Sequence, residues 1–258
     1  MFVAEGGNAT GVLVLSGSSG RVEEGRCRVL ADHGATAASY RWFGAALDRL
    51  PLESFDDALG MLHERCDRLV VLGTSRGAEA ALLLGARHPE VDAVVAVSPS
   101  DVVWAALTTD RPQRSSWTSG GEPLPFVPYD DDWVADTEPP EYLEMYEGAL
   151  EKYADRVPAA RIPVERIAGE VLLVAGGDDR LWPSIDFAEA IVRRREAAGL
   201  ATTLVSHPEA GHRVLLPGEV APPASHLAHG GTPTADAELG RRAWPELLRL
   251  LRAGPGSK

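Results

Sequence analysis

The chain has 258 residues, of which 45% are hydrophobic and 24% charged, with a formal net charge of −13. That length suits one large domain or two small ones. The acidic balance argues against nucleic-acid binding, no apolar run reaches the ~18 residues of a membrane span, and two cysteines, Cys27 and Cys66, supply neither a disulfide framework nor a metal cluster.

The opening MFVAEGGNATG lacks a basic stretch followed by an apolar one, so no secretory leader is read there and a cytoplasmic location is expected. GVLVLSG (11–17) then reads as a buried strand. A helix over 22–34 is stopped by Gly34, and ATAASY (35–40) is the next short strand. Residues 54–66 carry a serine at the N-cap, acids in the first turn and apolar positions at helical spacing. RLVVLG (68–73) is a strand, and a helix over 76–89 follows at once, closed by Pro89. DAVVAVSPS (92–100), EVLLVAGGDD (170–179) and TTLVSHPEAGH (202–212) are further strands, with a helix over 184–199 between the last two. A final helix runs from about Asp236 to Arg252, and GPGSK reads as a frayed tail. No internal repeat is visible.

Strands that alternate with helices, and are apolar without strict alternation, predict a mostly parallel, doubly wound α/β sheet with helices on both faces. Ligands in such sheets bind beyond the carboxyl ends of the strands. Residues 101–165 break the rhythm with many prolines, three tryptophans (Trp104, Trp117, Trp133) and an acidic run at Asp130, Asp131 and Asp132. The expectation is one domain over 1–258, with 101–165 a cap insertion that holds a helix over 138–156. A plain surface excursion is the alternative.

The chemistry collects at strand ends. GTSRG places Ser75 between Gly73 and Gly77, after a strand and before a helix. A side chain at either glycine would collide with neighbouring chain on so sharp a turn, and the turn exposes the hydroxyl beside helix-terminal N–H groups. Asp179 follows its strand, with Asp178 as a rival. His212 follows another, with His207 as the alternative; His33, His63, His88, His226 and His229 read as ordinary loop or surface histidines. Ser, then Asp, then His, each after a parallel strand, is the chain order of an α/β-hydrolase triad. Ser75 would be the nucleophile, His212 the base and Asp179 its orienting acid. The oxyanion would be held by the backbone N–H of Arg76 and by the loop SGSSG (16–20), with Gly17, Ser18 and Ser19 as candidates. No metal site and no cofactor are expected.

Taken together, GVLVLSGSSG, LGTSRGAEAALLLGARHPEVDAVVAVSPS, GEVLLVAGGDDRLWPS, HPEAGHRVLLP and HGGTPTADAELGRRAWPELLRLL resemble, in order, a known group. It is the C-terminal catalytic domain of the acyl-CoA thioesterase and bile-acid-CoA:amino-acid N-acyltransferase family, akin to dienelactone hydrolases. The resemblance covers roughly residues 11–251. It implies Asp179 rather than Asp178 as the triad acid, and His212 rather than His207 as the base. Animal members carry an N-terminal β-sandwich domain that has no counterpart in these 258 residues. A serine nucleophile matches the thioesterase branch, whereas the amino-acid transferase branch is associated with cysteine.

The expected function is therefore a serine hydrolase acting on a small-molecule acyl thioester or ester, in the manner of an acyl-CoA thioesterase. The alternatives are an acyltransferase or carboxylesterase on the same triad, and a slow or non-catalytic ligand-binding protein of the same fold. Arg21, Arg76, Arg180 and Arg213, near the strand ends, are the candidates for local positive charge toward a phosphate-bearing substrate.

Overall fold

In the computed structural model, residues 1–221 and 223–252 are described, and the GPGSK tail lies outside them. A seven-stranded sheet forms the centre. Its strands are β1 (Phe2–Ala4), β2 (Thr10–Leu15), β3 (Thr36–Ser39), β5 (Arg68–Thr74), β6 (Ala93–Val97), β9 (Glu170–Gly176) and β10 (Thr203–His207). Their spatial order is β1-β3-β2-β5-β6-β9-β10. All neighbours pair in parallel except β1, which lies antiparallel to β3 at one edge.

The strands are apolar on both faces because each face is covered. Leu13, Leu15, Leu69, Val71, Val94, Leu173 and Ala175 point to one side. They meet α2 (Asp56–His63), α3 (Arg76–Arg87) and α6 (Ser184–Ala197) there. Val12, Val14, Val70, Leu72, Val95, Leu172 and Val174 point to the other, against α1 (Glu24–Asp32) and α7 (Pro233–Arg252). Alternation along each strand thus feeds two cores. From β2 the chain passes through α1 on one face to β3, and returns through α2 on the opposite face to β5. The sheet therefore has its topological switch between β2 and β5, where a crevice opens beyond the strand ends.

Several expected elements are shorter than the sequence suggests. The strands expected over 92–100 and 202–212 end at Val97 and His207. Ser98 takes a positive φ of 47°, which ends the pleat, and Pro208 cannot donate to a ladder. Ser54 does not cap α2. Its hydroxyl donates to the Pro51 carbonyl at 2.6 Å inside a 3₁₀ turn over Leu52–Phe55, and α2 starts after that turn.

Residues 101–165 divide in two. One part belongs to the body: β7 (Trp117–Ser119) pairs with β4 (Leu50–Pro51) and with β8 (Glu122–Pro123) in a small second sheet. Trp117 is fully buried and stacks on Trp42, with centroids 5.6 Å apart and planes 9° from parallel. The other part holds α4 (Leu143–Lys152), shorter than the helix expected over 138–156, and the single turn α5 (Val157–Ala160). It builds a separate aromatic cluster in which Trp104, Tyr146, Trp182 and Phe187 pack edge to face.

Candidate active site

The turn after β5 fixes Ser75. Its φ is 57° and ψ −120°, a conformation that side chains seldom adopt. The surrounding glycines are a steric necessity. A Cβ on Gly73 would sit 1.9 Å from the Gly77 carbonyl oxygen, and one on Gly77 would sit 2.3 Å from the Ser16 carbonyl oxygen. The Ser75 N–H donates to the Val97 carbonyl at 2.9 Å, tying the turn to β6. The Ser75 carbonyl accepts from the N–H groups of Ala78 (2.8 Å) and Glu79 (3.1 Å). The Arg76 N–H, at the head of α3, has no acceptor one turn earlier within the helix. Gly17, beyond β2, also approaches the turn, less tightly: a Cβ there would lie 3.2 Å from Ser75 Cβ.

Asp179 and His212 meet by side chain. His212 Nδ1 lies 2.7 Å from Asp179 Oδ2, and the two residues are 6% and 4% exposed. Three further donors pin the carboxylate. Oδ1 accepts from the N–H groups of Leu181 (2.9 Å) and Trp182 (3.3 Å), and Oδ2 accepts from the Ser184 hydroxyl. Ser184 was not singled out in the sequence; its place at the start of α6 reads as an ordinary cap position. His212 is pinned at its backbone. Its N–H donates to the His229 carbonyl (2.9 Å), and its own carbonyl accepts from the Ser98 hydroxyl (3.0 Å). The late Gly-Gly pair explains this close approach. Gly230, at φ 69°, bridges to Asp179, and a Cβ on it would lie 1.7 Å from the Asp178 carbonyl oxygen.

The rivals are occupied elsewhere. Asp178 accepts from Arg180 Nε (2.7 Å) and from the Gly231 N–H (2.9 Å), so it braces the loop and does not contact the imidazole. His207 stays on β10, paired with Gly176, and accepts from the Glu209 N–H at 3.1 Å. His229 packs 5.9 Å from the His212 ring and accepts or donates at Ser225 Oγ (2.9 Å). Burial, helped by Arg213 and His212, pushes its pKa down to about 4, so it is neutral at pH 7. Burial pushes the Cys27 thiol up to about 12, which makes it a poor nucleophile.

Ser75, Arg76, Ser18 and His212 all line one cavity of about 900 Å³. Among the described residues no hydrogen bond joins Ser75 Oγ to His212; catalytic hydrogen bonds often tighten only once substrate is bound. Trp133, Tyr142, Met145 and Tyr146 from residues 101–165, with Leu181 and Trp182, give the cavity a largely aromatic wall. Ser19 is not on that wall. It faces a neighbouring cavity, where its hydroxyl accepts from the Arg21 N–H at 3.4 Å.

Arg76 has a second part that its backbone role did not suggest. Its side chain is 2% exposed and its Nη1 donates to Glu79 Oε2 at 2.6 Å. Its Nη2 donates to the Ala105 carbonyl (2.9 Å) and to the Tyr129 hydroxyl. Glu79, fully buried, accepts at Oε1 from Trp117 Nε1 (2.6 Å) and from the Trp104 N–H (3.2 Å). Burial pushes the Glu79 carboxyl up against the pull of Arg76. Burial also works against the Arg76 charge, which Tyr129 and Glu79 more than restore. This pair straps residues 104–129 onto the helix that carries Ser75, and it consumes the Arg76 charge. Arg180 is likewise consumed, by Asp178 and Glu141.

A parallel sheet with helices on both faces, a strained Ser after β5 and an Asp–His pair after β9 and β10 define a protein of the α/β-hydrolase fold. Solved structures agree on the fold. The esterase domain of a Rhodothermus marinus protein aligns with a TM-score of 0.53 at 16% identity, over 96% of this chain and 91% of its own. Thermogutta terrifontis esterase 2, in its butyrate-bound form, gives 0.51 at 15% identity, over 99% and 91%. More narrowly, the chain belongs to the BAAT / Acyl-CoA thioester hydrolase C terminal family, which matches residues 50–254. It is 26% identical to the mouse bile acid-CoA:amino acid N-acyltransferase over 98% of this chain and 62% of that one. It is 25% identical to the mouse mitochondrial acyl-coenzyme A thioesterase 2 over 98% and 57%. The chain thus spans about three fifths of the length of these relatives. Among the described residues no helix is long and apolar enough to cross a membrane.

Proposed function

We propose that the protein is a serine hydrolase that cleaves an acyl thioester or ester of the acyl-coenzyme A class. The observation that carries this reading is the buried His212–Asp179 pair, which opens onto the same cavity as the strained Ser75. Family membership and the two mouse relatives, whose names specify acyl-CoA chemistry, support the same class. In this reading residues 1–258 are one domain, and the outer part of 101–165 is the cap over the acyl site.

Ser75 Oγ attacks the acyl carbonyl carbon as His212 Nε2 takes its proton. Asp179 accepts a hydrogen bond from Nδ1–H, fixes the tautomer and stabilises the imidazolium. The carbonyl oxygen becomes an oxyanion between the N–H groups of Arg76 and of Ser18. Each such donor is worth roughly 3 kcal/mol. The intermediate collapses with loss of the thiol or alcohol, which takes the proton back from Nε2. Water, deprotonated by the same nitrogen, then releases the acid from the acyl-enzyme.

The test pairs a fluorophosphonate label with turnover of an acyl-CoA and of a nitrophenyl ester with the same acyl group. Labelling at Ser75, lost in Ser75→Ala, and preference for the thioester are expected. Equal or better turnover of the simple ester would reject the thioesterase part; no label at Ser75 would reject the nucleophile. Transfer to an amine is the second reading, favoured by the similarity to the mouse N-acyltransferase. Adding amine acceptors and recovering only free acid would remove it.

A further inference from the structure

Two cavities meet at the Ser75–His212 border, and their chemistry differs. The second, of about 700 Å³, shares Ser18, Ser75, Leu181, His212, His226 and Leu227 with the aromatic one. It continues away from the cap, between the start of α1 and the chain that follows His212. Four arginines line it, Arg21, Arg26, Arg28 and Arg213, against three acids, Glu23, Asp32 and Glu219. In a chain of net charge −13, this lining has one more arginine than it has acids.

The four arginines are not equivalent. Arg26 is held by both oxygens of Glu219 and by Thr74 Oγ1, so it fastens the loop to β5. Arg28 pairs with Glu24 on the exposed face of α1 and lies over the Phe2 ring. Arg21 pairs with Glu23 at 2.9 Å on an exposed edge. Arg213 forms no ion pair among the described residues; its Nη1 donates to the Pro223 carbonyl at 2.8 Å. Asp236, the acid that faces it, already accepts from the Gly211 N–H at 2.7 Å. Burial, and then the positive charge of Arg21, push the Arg213 pKa down. Both arginines line the cavity that Ser75 and His212 border, and the Arg21 charge acts unfavourably on Arg213. An anion between them would relieve both the repulsion and the lost hydration.

We propose that this second cavity is the leaving-group side of the site, where Arg21 and Arg213 bind the phosphate of a phosphate-bearing thiol such as coenzyme A. The proposal rests on the hydrolase reading above. The acyl group lies in the aromatic cavity and the thioester carbon at the border, over Ser75. When the C–S bond breaks, the electron pair goes to sulfur, which takes the proton from His212 Nε2 and departs on the arginine side.

The test compares one acyl group carried on coenzyme A and on N-acetylcysteamine, an uncharged thiol without phosphate. In Arg213→Gln and in Arg21→Gln, kcat/KM for the coenzyme A ester should fall about tenfold relative to the short thioester, the loss of one charge-assisted contact. Raising the salt should shrink the preference of the parent protein for coenzyme A. Equal effects on the two substrates, or none, would overturn the proposal. Titration of free coenzyme A into the Ser75→Ala protein tests it without turnover. Binding that weakens about tenfold in either arginine variant supports it, and absence of binding overturns it. If coenzyme A binds as expected and neither thioester is cleaved, it is the hydrolase reading that fails.

Discussion

Glu79→Gln isolates the strap between the nucleophile helix and the residues above it. Glutamine keeps an oxygen for Trp117 Nε1 and the Trp104 N–H, which donate at 2.6 and 3.2 Å. It replaces the other oxygen, 2.6 Å from Arg76 Nη1, with an amide. Shape is kept and the charge is lost, so the guanidinium of Arg76, on a side chain 2% exposed, is left uncompensated. Breaking one side of a buried pair costs about 3–5 kcal/mol. For a chain of this size that corresponds to a fall in Tm of about 10 °C. The control is Arg76→Met combined with Glu79→Gln, which removes both charges and leaves the Arg76 backbone N–H in place. Replacing a whole pair is often close to neutral, so the double variant should regain at least about 2 kcal/mol. Denaturant unfolding of the parent, both single variants and the double variant measures this as a double-mutant cycle. An additive cycle, or Glu79→Gln within about 1 kcal/mol of the parent, would refute the argument that charge compensation holds these residues together.

Asp179→Asn should lower kcat by about four orders of magnitude with the fold intact, because the amide favours the wrong histidine tautomer. Asp178→Asn should cost little turnover, since Asp178 binds Arg180 and Gly231 instead; steady-state kinetics on the two variants decide, and the reverse order would mean the acid is Asp178. A third expectation concerns pH. His229 is neutral in the folded protein down to about pH 4, whereas in the unfolded chain it takes its proton near 6.5. The unfolded state therefore binds more protons between those values, and stability falls as pH drops through this window. The full shift would be worth roughly 3 kcal/mol, and about half of that remains once partial solvent screening is allowed for. His229→Gln should flatten that part of the stability–pH curve in urea unfolding; an unchanged slope would assign the acid sensitivity to other groups.

How much of this was legible depended on what each signal reports. The main sheet was readable because its strands are apolar on both faces, Leu13 and Leu15 one way, Val12 and Val14 the other. Strand ends were overrun although the apolar runs stop at Val97 and Val205, because the expected strands were carried on into Ser-Pro-Ser and Pro-Glu-Ala-Gly-His; the backbone geometry shows Ser98 leaving the pleat. Ser75 was readable since the turn dictates its own glycines. Spacing alone left Asp178 and Asp179 open, because both leave the same strand; the family resemblance pointed to Asp179, and it is Asp179 that meets the imidazole. Residues 101–165 carry no clear periodicity, so nothing in them separated Trp117, which is part of the body's core, from the outer cluster around Tyr146. The buried Arg76–Glu79 pair was not read from the sequence. An Arg–Glu pair three apart reads as a surface contact worth a few tenths of a kcal/mol. Yet α3 has ten of its twelve residues buried, and its run of alanines and leucines leaves it no solvent face on which such a pair could lie.

That buried pair also explains how one turn can serve two purposes. The backbone N–H of Arg76 is left over at the head of α3, and in the proposed mechanism it serves the oxyanion. Its side chain points the opposite way in chemical terms, into a dry network with Glu79, Tyr129 and the Ala105 carbonyl. The aromatic wall of the cavity that Ser75 lines is thereby tied to the residue next to Ser75. In the proposed reading substrate charge is met elsewhere: Arg76 is buried with Glu79 and Arg180 is held by Asp178, whereas Arg21 pairs with Glu23 only on an exposed edge and Arg213 has no ion pair among the described residues. Of the four arginines that the sequence placed near the strand ends, Arg21 and Arg213 are the pair that faces a common cavity. If charge and acyl group are recognised on opposite sides of the Ser75–His212 border, as proposed, acyl selectivity and leaving-group selectivity should respond to different substitutions.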